Sequence, residues 1–133
     1  MNMGGRGYHN DVQGYLRSDA RTSSYIKINE LSNERIDFIQ DDVKPAAPVT
    51  PEFSNSANKI YVLLDKSGTK IKNITVYDDN HEQKYSIHLD HPHKNQTIHV
   101  HSGMNSGRKD IPLSSEHRKL IEEVYKIFNK RRK

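Results

Sequence analysis

The sequence contains no cysteine and no tryptophan among its 133 residues, and apolar side chains make up only 32% of it. The lack of cysteine excludes disulfides, thiolate metal ligands and thiol nucleophiles. The small apolar fraction leaves little surface to bury, so we expect a domain of marginal stability. A metal ion that stabilises this chain must therefore be held by histidine and carboxylate side chains.

Long apolar runs are absent as well. No stretch approaches the roughly 18 consecutive apolar residues of a membrane span, and the first residues lack an apolar signal segment, so we expect a cytosolic protein. Charge is uneven, because residues 1–58 hold 6 Lys and Arg against 8 Asp and Glu, whereas residues 59–133 hold 15 against 9. The basic half suits contact with nucleic acid or with an acidic protein face, although solvation of a charged surface is the simpler interpretation.

Length and local composition predict a single domain, since one compact domain typically has about 100–150 residues. Residues 1–24 carry several glycines and scattered polar residues without a periodic apolar pattern, and we interpret them as a flexible N-terminal arm. The domain then covers residues 25–133. Within it, residues 41–58 contain three prolines, which predicts a connector with neither strand nor helix.

The rest of the domain predicts one sheet and one helix. Short β-prone runs within residues 25–39 indicate a hairpin, and four further strands are predicted between residues 60 and 101. Apolar residues recur at helical spacing over residues 120–128, after Ser114 as the N-cap residue and Glu116 in the first turn. The predicted fold class is α+β, an antiparallel β-meander covered by one C-terminal amphipathic helix.

Five of the eight histidines fall between residues 88 and 101. Side chains two residues apart on a strand point to the same side of a sheet, so His99 and His101 project together. A short connector brings His91 and His93 beside them, and four imidazole nitrogens at about 2.0–2.1 Å from one ion complete a tetrahedral zinc site. We therefore predict zinc as the cofactor and His91, His93, His99 and His101 as its ligands.

The alternation of side chains leaves the ligand set partly open. Strict alternation places His88 and Asp90 on the same face of the sheet as His99 and His101, and it places His91 on the opposite face. Pro92 interrupts that alternation because proline favours a bulge or an edge. His88 is therefore a reserve ligand, and Asp90 is the carboxylate that orients an imidazole. A solvated, histidine-rich face without metal is the alternative interpretation.

Enzymatic interpretations are weaker. A metal-dependent nuclease or toxin domain needs an open coordination position and a base such as Asp90, whereas a four-histidine site leaves no position for water. No other nucleophile or base constellation is recognisable, so we expect a binding protein and not an enzyme. His117, in the first turn of the predicted helix, is expected to be solvated.

Several short segments resemble those of a known group of proteins, and these are residues 4–7 (GGRG), 45–48 (PAAP), 60–63 (IYVL), 74–78 (ITVYD), 89–94 (LDHPHK) and 99–101 (HVH). On them the chain resembles short histidine-rich, zinc-binding proteins of phages and prophages of Gram-positive bacteria, a group that includes anti-CRISPR inhibitors. The resemblance implies structural zinc and stoichiometric inhibition of the host type II CRISPR effector nuclease in the bacterial cytoplasm. Direct nucleic-acid binding is secondary, and a small phage structural accessory protein is a further interpretation.

Overall fold

The structure is a computed structural model that describes residues 16–17, 25–41, 50–89, 98–103 and 109–130. Its elements in chain order are β1 (Leu16–Arg17), β2 (Tyr25–Lys27), β3 (Ile36–Asp41), β4 (Pro51–Phe53), β5 (Ile60–Leu64), β6 (Ile71–Tyr77), β7 (Gln83–His88), β8 (His99–Ser102), β9 (Lys109–Ile111) and α1 (Ser115–Lys130). The main sheet has the strand order β2-β3-β5-β6-β7-β8-β9, and β1 pairs with β4 in a small second sheet. The predicted α+β class is confirmed.

The main sheet is mixed, which corrects the prediction of a purely antiparallel meander. The predicted hairpin of β2 and β3 is confirmed, and β5 to β8 follow one another as antiparallel neighbours. Strands β3 and β5 are parallel, however, with Ile36 opposite Ile60. A parallel pair needs a crossover connection, which is made here by the chain that contains β4.

Three short strands lie where the sequence predicted none. The segment 41–58 was expected to be a connector without a strand, which is wrong because it contains β4. Pro51 is the first residue of β4, a position where the missing N–H of proline is tolerated. Leu16 and Arg17, within the predicted arm, form β1, and the rest of that arm lies outside the described residues. Strand β9 extends the main sheet beyond β8.

One face of the main sheet packs against α1 and forms the larger core. Leu120, Val124 and Phe128 are the buried apolar residues of α1, as their helical spacing predicts. The ring of Phe128 lies nearly parallel to that of Phe38, with the ring centroids 6.3 Å apart. Within the described residues, no helix is both long and apolar enough to cross a membrane.

The start of α1 is capped by Ser114, as predicted. Its hydroxyl accepts a hydrogen bond from the N–H of His117 at 3.3 Å, and its own N–H donates to Nδ1 of His117 at 3.1 Å. His117 is buried, with its ring edge-on to Tyr85 at a centroid distance of 4.7 Å. The expectation that His117 is solvated is therefore wrong, because the imidazole takes the place of a capping-box side chain.

The opposite face of the main sheet changes character across the strands. Beneath β2, β3, β5 and β6 it is mainly apolar and aromatic, formed by Tyr25, Ile39, Tyr61, Leu63 and Tyr77. Buried Asp37 lies on this face too, with its Oδ1 3.2 Å from Nζ of Lys59. The Tyr77 hydroxyl donates to the carbonyl of Pro51, and burial raises the pKa of Tyr77 well above its ordinary value. Across β6, β7, β8 and β9 the same face carries polar side chains, and the candidate site lies there.

Candidate metal centre

Pairing of β7 with β8 brings three histidines together. His88 lies directly opposite His99, and His101 follows two residues later on the same side of β8. The ring centroids are 5.2 Å apart for His88 and His99, 5.0 Å for His88 and His101, and 4.8 Å for His99 and His101. We call these three residues the histidine cluster.

The alternation of side chains explains why the histidines share one face. Ile87 and Val100 are opposite each other in the β7–β8 pair and are both buried in the core beneath α1. Their neighbours along each strand must then point away from α1. The prediction that His99 and His101 project together is confirmed, and His88 lies with them, as strict alternation along β7 predicts.

The other predicted site residues lie outside the described residues. These are His91 and His93, predicted as ligands, and Asp90, predicted as the carboxylate that orients an imidazole. Their place relative to the histidine cluster therefore stays a prediction from the sequence.

The histidine cluster is buried at His99 and partly accessible at its other two members. His99 is only 7% exposed, and both Nδ1 of His99 and Nε2 of His88 are buried atoms. The side chain of His101 is 16% exposed. His88 is half-buried as well, so His99 is the most buried member of the cluster and solvent reaches the cluster at His88 and at His101.

A carboxylate on β9, which the sequence did not predict as part of the site, contacts the cluster. Asp110 is opposite His101 in the β8–β9 pair, and its Oδ1 lies 2.8 Å from Nδ1 of His101. The signal in the sequence was weak, because β9 has only three residues. The sequence signal for this strand is only the change from charged, exposed Asp110 to apolar, partly buried Ile111.

Hydroxyl and amide side chains continue the polar face beyond the histidine cluster. The hydroxyls of Thr75 and Ser86 are 2.8 Å apart, and the hydroxyl of Thr50 donates to Oδ1 of Asn73 at 3.1 Å. Asn73 is opposite His88, and Ser86 is opposite His101. Asn73, Thr75 and Ser86 are buried and Thr50 is half-buried, and their hydrogen bonds to one another make a polar surface beside the imidazoles.

The spacing of the imidazoles fits a zinc ion, but their present orientation does not. Zinc at about 2.0–2.1 Å from three nitrogens in tetrahedral geometry places the ring centroids about 5 Å apart, which is the separation seen in the histidine cluster. Within the part of the chain that the structure describes, no group of three or more His, Asp or Glu side chains is arranged to hold a metal. The rings of His88 and His99 are within 9° of parallel, so three nitrogens can meet at one ion only after the imidazoles rotate.

Two surface cavities lie elsewhere on the described part of the molecule. One of about 340 Å³ is lined by Ile71, Leu89 and Phe128 among others, and one of about 360 Å³ by Arg35, Tyr85 and others. Neither cavity is lined by a residue of the histidine cluster. The cluster is therefore not the floor of either cavity.

No protein-family model matches the chain, and no curated protein or solved structure matches it.

Proposed function

We propose that the protein is a zinc-binding protein that acts by binding another protein and not by catalysis. In this proposal His88, His99 and His101 hold a zinc ion that connects β7 to β8. The main support for this proposal is that three imidazoles on adjacent strands lie close together, with ring centroids 4.8–5.2 Å apart. A set of imidazole ligands without thiolates is well suited to zinc.

The remaining coordination position belongs to His91 or His93 in this proposal. Both follow His88 closely in the chain and precede β8, so the connection between the two strands carries them. A fourth imidazole closes the tetrahedron and leaves no position for a reactive water, which is the arrangement of structural zinc sites.

Metal binding compensates for the thin core of such a polar chain. A ligand that binds the folded state and not the unfolded state stabilises the folded state. The free energy of metal binding then contributes to the free energy of folding. Since His99 is buried, an ion held there is partly shielded from water. The expected role of zinc is therefore structural.

The partner that we propose is the host type II CRISPR effector nuclease, as the resemblance to phage proteins implies. Inhibition occurs by occupation of the nuclease surface in the bacterial cytoplasm. The support from this chain is the basic character of residues 59–133, which hold 15 Lys and Arg against 9 Asp and Glu. Such a surface is complementary to an acidic protein face or to a channel that binds nucleic acid.

Metal analysis after exhaustive dialysis tests the zinc proposal. We expect about one zinc per chain, and we expect the His99→Ala and His101→Ala variants to lose it. The matched control is His81→Ala, because the imidazole of His81 contacts the Ser54 carbonyl at 2.9 Å in a turn outside the cluster. Wild-type protein without stoichiometric metal would contradict the proposal.

A cleavage assay with increasing amounts of this protein tests the binding proposal. Inhibition of the effector nuclease is expected to reach an end point near equimolar protein, with protein and nucleic acid chemically intact. Because the contacts are partly electrostatic, higher salt is expected to weaken inhibition, mainly through slower association. Inhibition well below stoichiometry would show turnover and would contradict stoichiometric binding.

A metal-dependent nuclease is the second candidate, and one observation favours it. The side chains of His101 and Asp110 are 16% and 60% exposed, so water can reach the contact between them. With only three protein ligands, an ion keeps an open position for an attacking water. Cleavage of DNA or RNA by the protein alone, abolished by Asp90→Ala without loss of folding, would favour this candidate over the binding protein.

A further inference from the structure

We propose that Asp110 is a positioning residue that holds His101 in the tautomer protonated on Nδ1 and thereby directs Nε2 to the metal. This inference deepens the zinc proposal and rests on it for the role of the ion. The contact between Asp110 and His101 is itself independent of any metal.

The contact defines the tautomer by its chemistry. Oδ1 of Asp110 lies 2.8 Å from Nδ1 of His101, which is hydrogen-bond distance. The oxygens of a carboxylate accept hydrogen bonds, whereas an imidazole nitrogen that carries a hydrogen donates one. The hydrogen of this bond therefore comes from Nδ1, and an imidazole that carries this one proton has its lone pair on Nε2.

Strand pairing keeps the two groups in register. His101 is opposite Asp110 in the β8–β9 pair, and the flanking pairs are Val100 with Ile111 and Ser102 with Lys109. Ile111 packs against the core beneath α1, so the residue before it on β9, Asp110, lies on the face of the histidine cluster. The pairing of β9 with β8 therefore fixes the backbone of Asp110 opposite His101, which keeps the carboxylate near the imidazole.

The consequence for a metal is twofold. A carboxylate bonded to the second nitrogen of a ligating imidazole fixes the orientation of the ring and makes the ligating nitrogen more basic. Removal of such a partner typically weakens metal affinity about 10–100-fold. The expected loss is thus large enough to measure while the three imidazoles of the cluster remain.

Nitrogen-15 NMR of histidine-labelled, metal-free protein tests the tautomer directly. At a pH at which the His101 imidazole is neutral, we expect wild-type His101 to carry its proton on Nδ1. The Asp110→Ala variant is expected to lose this preference, with other resonances unchanged. Wild-type His101 protonated on Nε2, or the same tautomer preference in both proteins, would overturn the inference.

Zinc affinity of the full chain provides the second measurement, by competition with a chelator. Asp110→Ala is expected to bind zinc about 10–100-fold more weakly. Asp110→Asn is expected to lie between this variant and wild type, because an amide oxygen accepts the hydrogen bond without the charge. The control is Asp79→Ala, which removes an exposed carboxylate from the turn between β6 and β7. Equal zinc affinity of Asp110→Ala and wild type would overturn the role of Asp110 toward the metal.

The two measurements separate the two proposals. Wild-type protein that binds no zinc would refute the zinc proposal, whereas the NMR experiment on metal-free protein would still decide whether Asp110 sets the tautomer of His101. Zinc binding with an Nε2-protonated His101 would refute the role of Asp110 and leave the zinc proposal standing.

Discussion

Replacement of His88 by alanine distinguishes a zinc site at the histidine cluster from the four ligands predicted by the sequence. The imidazole of His88 lies 5.0–5.2 Å from those of His101 and His99, measured between ring centroids. If these three side chains bind one zinc ion, the His88→Ala variant loses a ligand. We therefore expect most of the stabilisation by zinc to disappear.

The size of the effect follows from linkage between binding and folding. Zinc at about 100 times its dissociation constant stabilises the folded state by roughly 2.7 kcal/mol. For a domain of this size, roughly 4 °C of melting temperature per kcal/mol gives a rise of about 11 °C. A ligand loss that weakens binding about 100-fold leaves roughly 0.4 kcal/mol at the same zinc concentration, or about 2 °C.

Thermal unfolding followed by circular dichroism, with zinc and with a chelator, measures the difference for each protein. The comparison within one protein cancels any effect of the substitution on the metal-free fold. His81→Ala is the control and is expected to keep the full rise, since His81 lies in the turn before β7. A full zinc-dependent rise in melting temperature in His88→Ala would refute His88 as a ligand and favour His91 and His93 together with His99 and His101.

Three further predictions concern stability. Phe128→Ala is expected to lower the free energy of unfolding by about 3–5 kcal/mol in urea titrations, because the ring is buried against Phe38; a loss below about 1 kcal/mol would contradict that packing. Ser114→Ala is expected to cost about 1 kcal/mol through loss of the N-cap, whereas exposed Ser115→Ala should change little. Burial raises the pKa of Tyr77, so the stability that its neutral hydroxyl contributes is present below the unfolded pKa of about 10 and is lost as pH rises above it. The free energy of unfolding of Tyr77→Phe should therefore fall less than that of wild type between pH 9 and 11. Equal losses in the two proteins would contradict this.

Local sequence patterns predicted the elements whose packing is decided nearby in the chain. The hairpin of β2 and β3, the strands β5 to β8 and helix α1 all show clear periodicity. The parallel pairing of β3 with β5 was not predictable in this way, because the partner of a strand depends on the path of the chain between them. Strand β4 was missed since it has three residues and begins with Pro51, which reads as a connector.

The candidate site was predictable only as far as side-chain alternation reaches. Alternation along β8 placed His99 and His101 on one face, and the structure agrees. To identify His88 as their neighbour, one needs the register of β7 against β8. That register was uncertain from the sequence because Pro92 interrupts the alternation between the two strands. Asp110 needed the existence of β9, and a three-residue strand gives too short a pattern to identify.

The order of strands has a consequence for the folding of the chain. Strands β6 to β9 pair in chain order with their sequence neighbours, whereas β3 and β5 join across a crossover. Closing the longer connection costs more chain entropy, and contacts close in sequence form faster. The half of the sheet that carries the histidine cluster is therefore expected to assemble early, before the parallel pair joins it to β2 and β3.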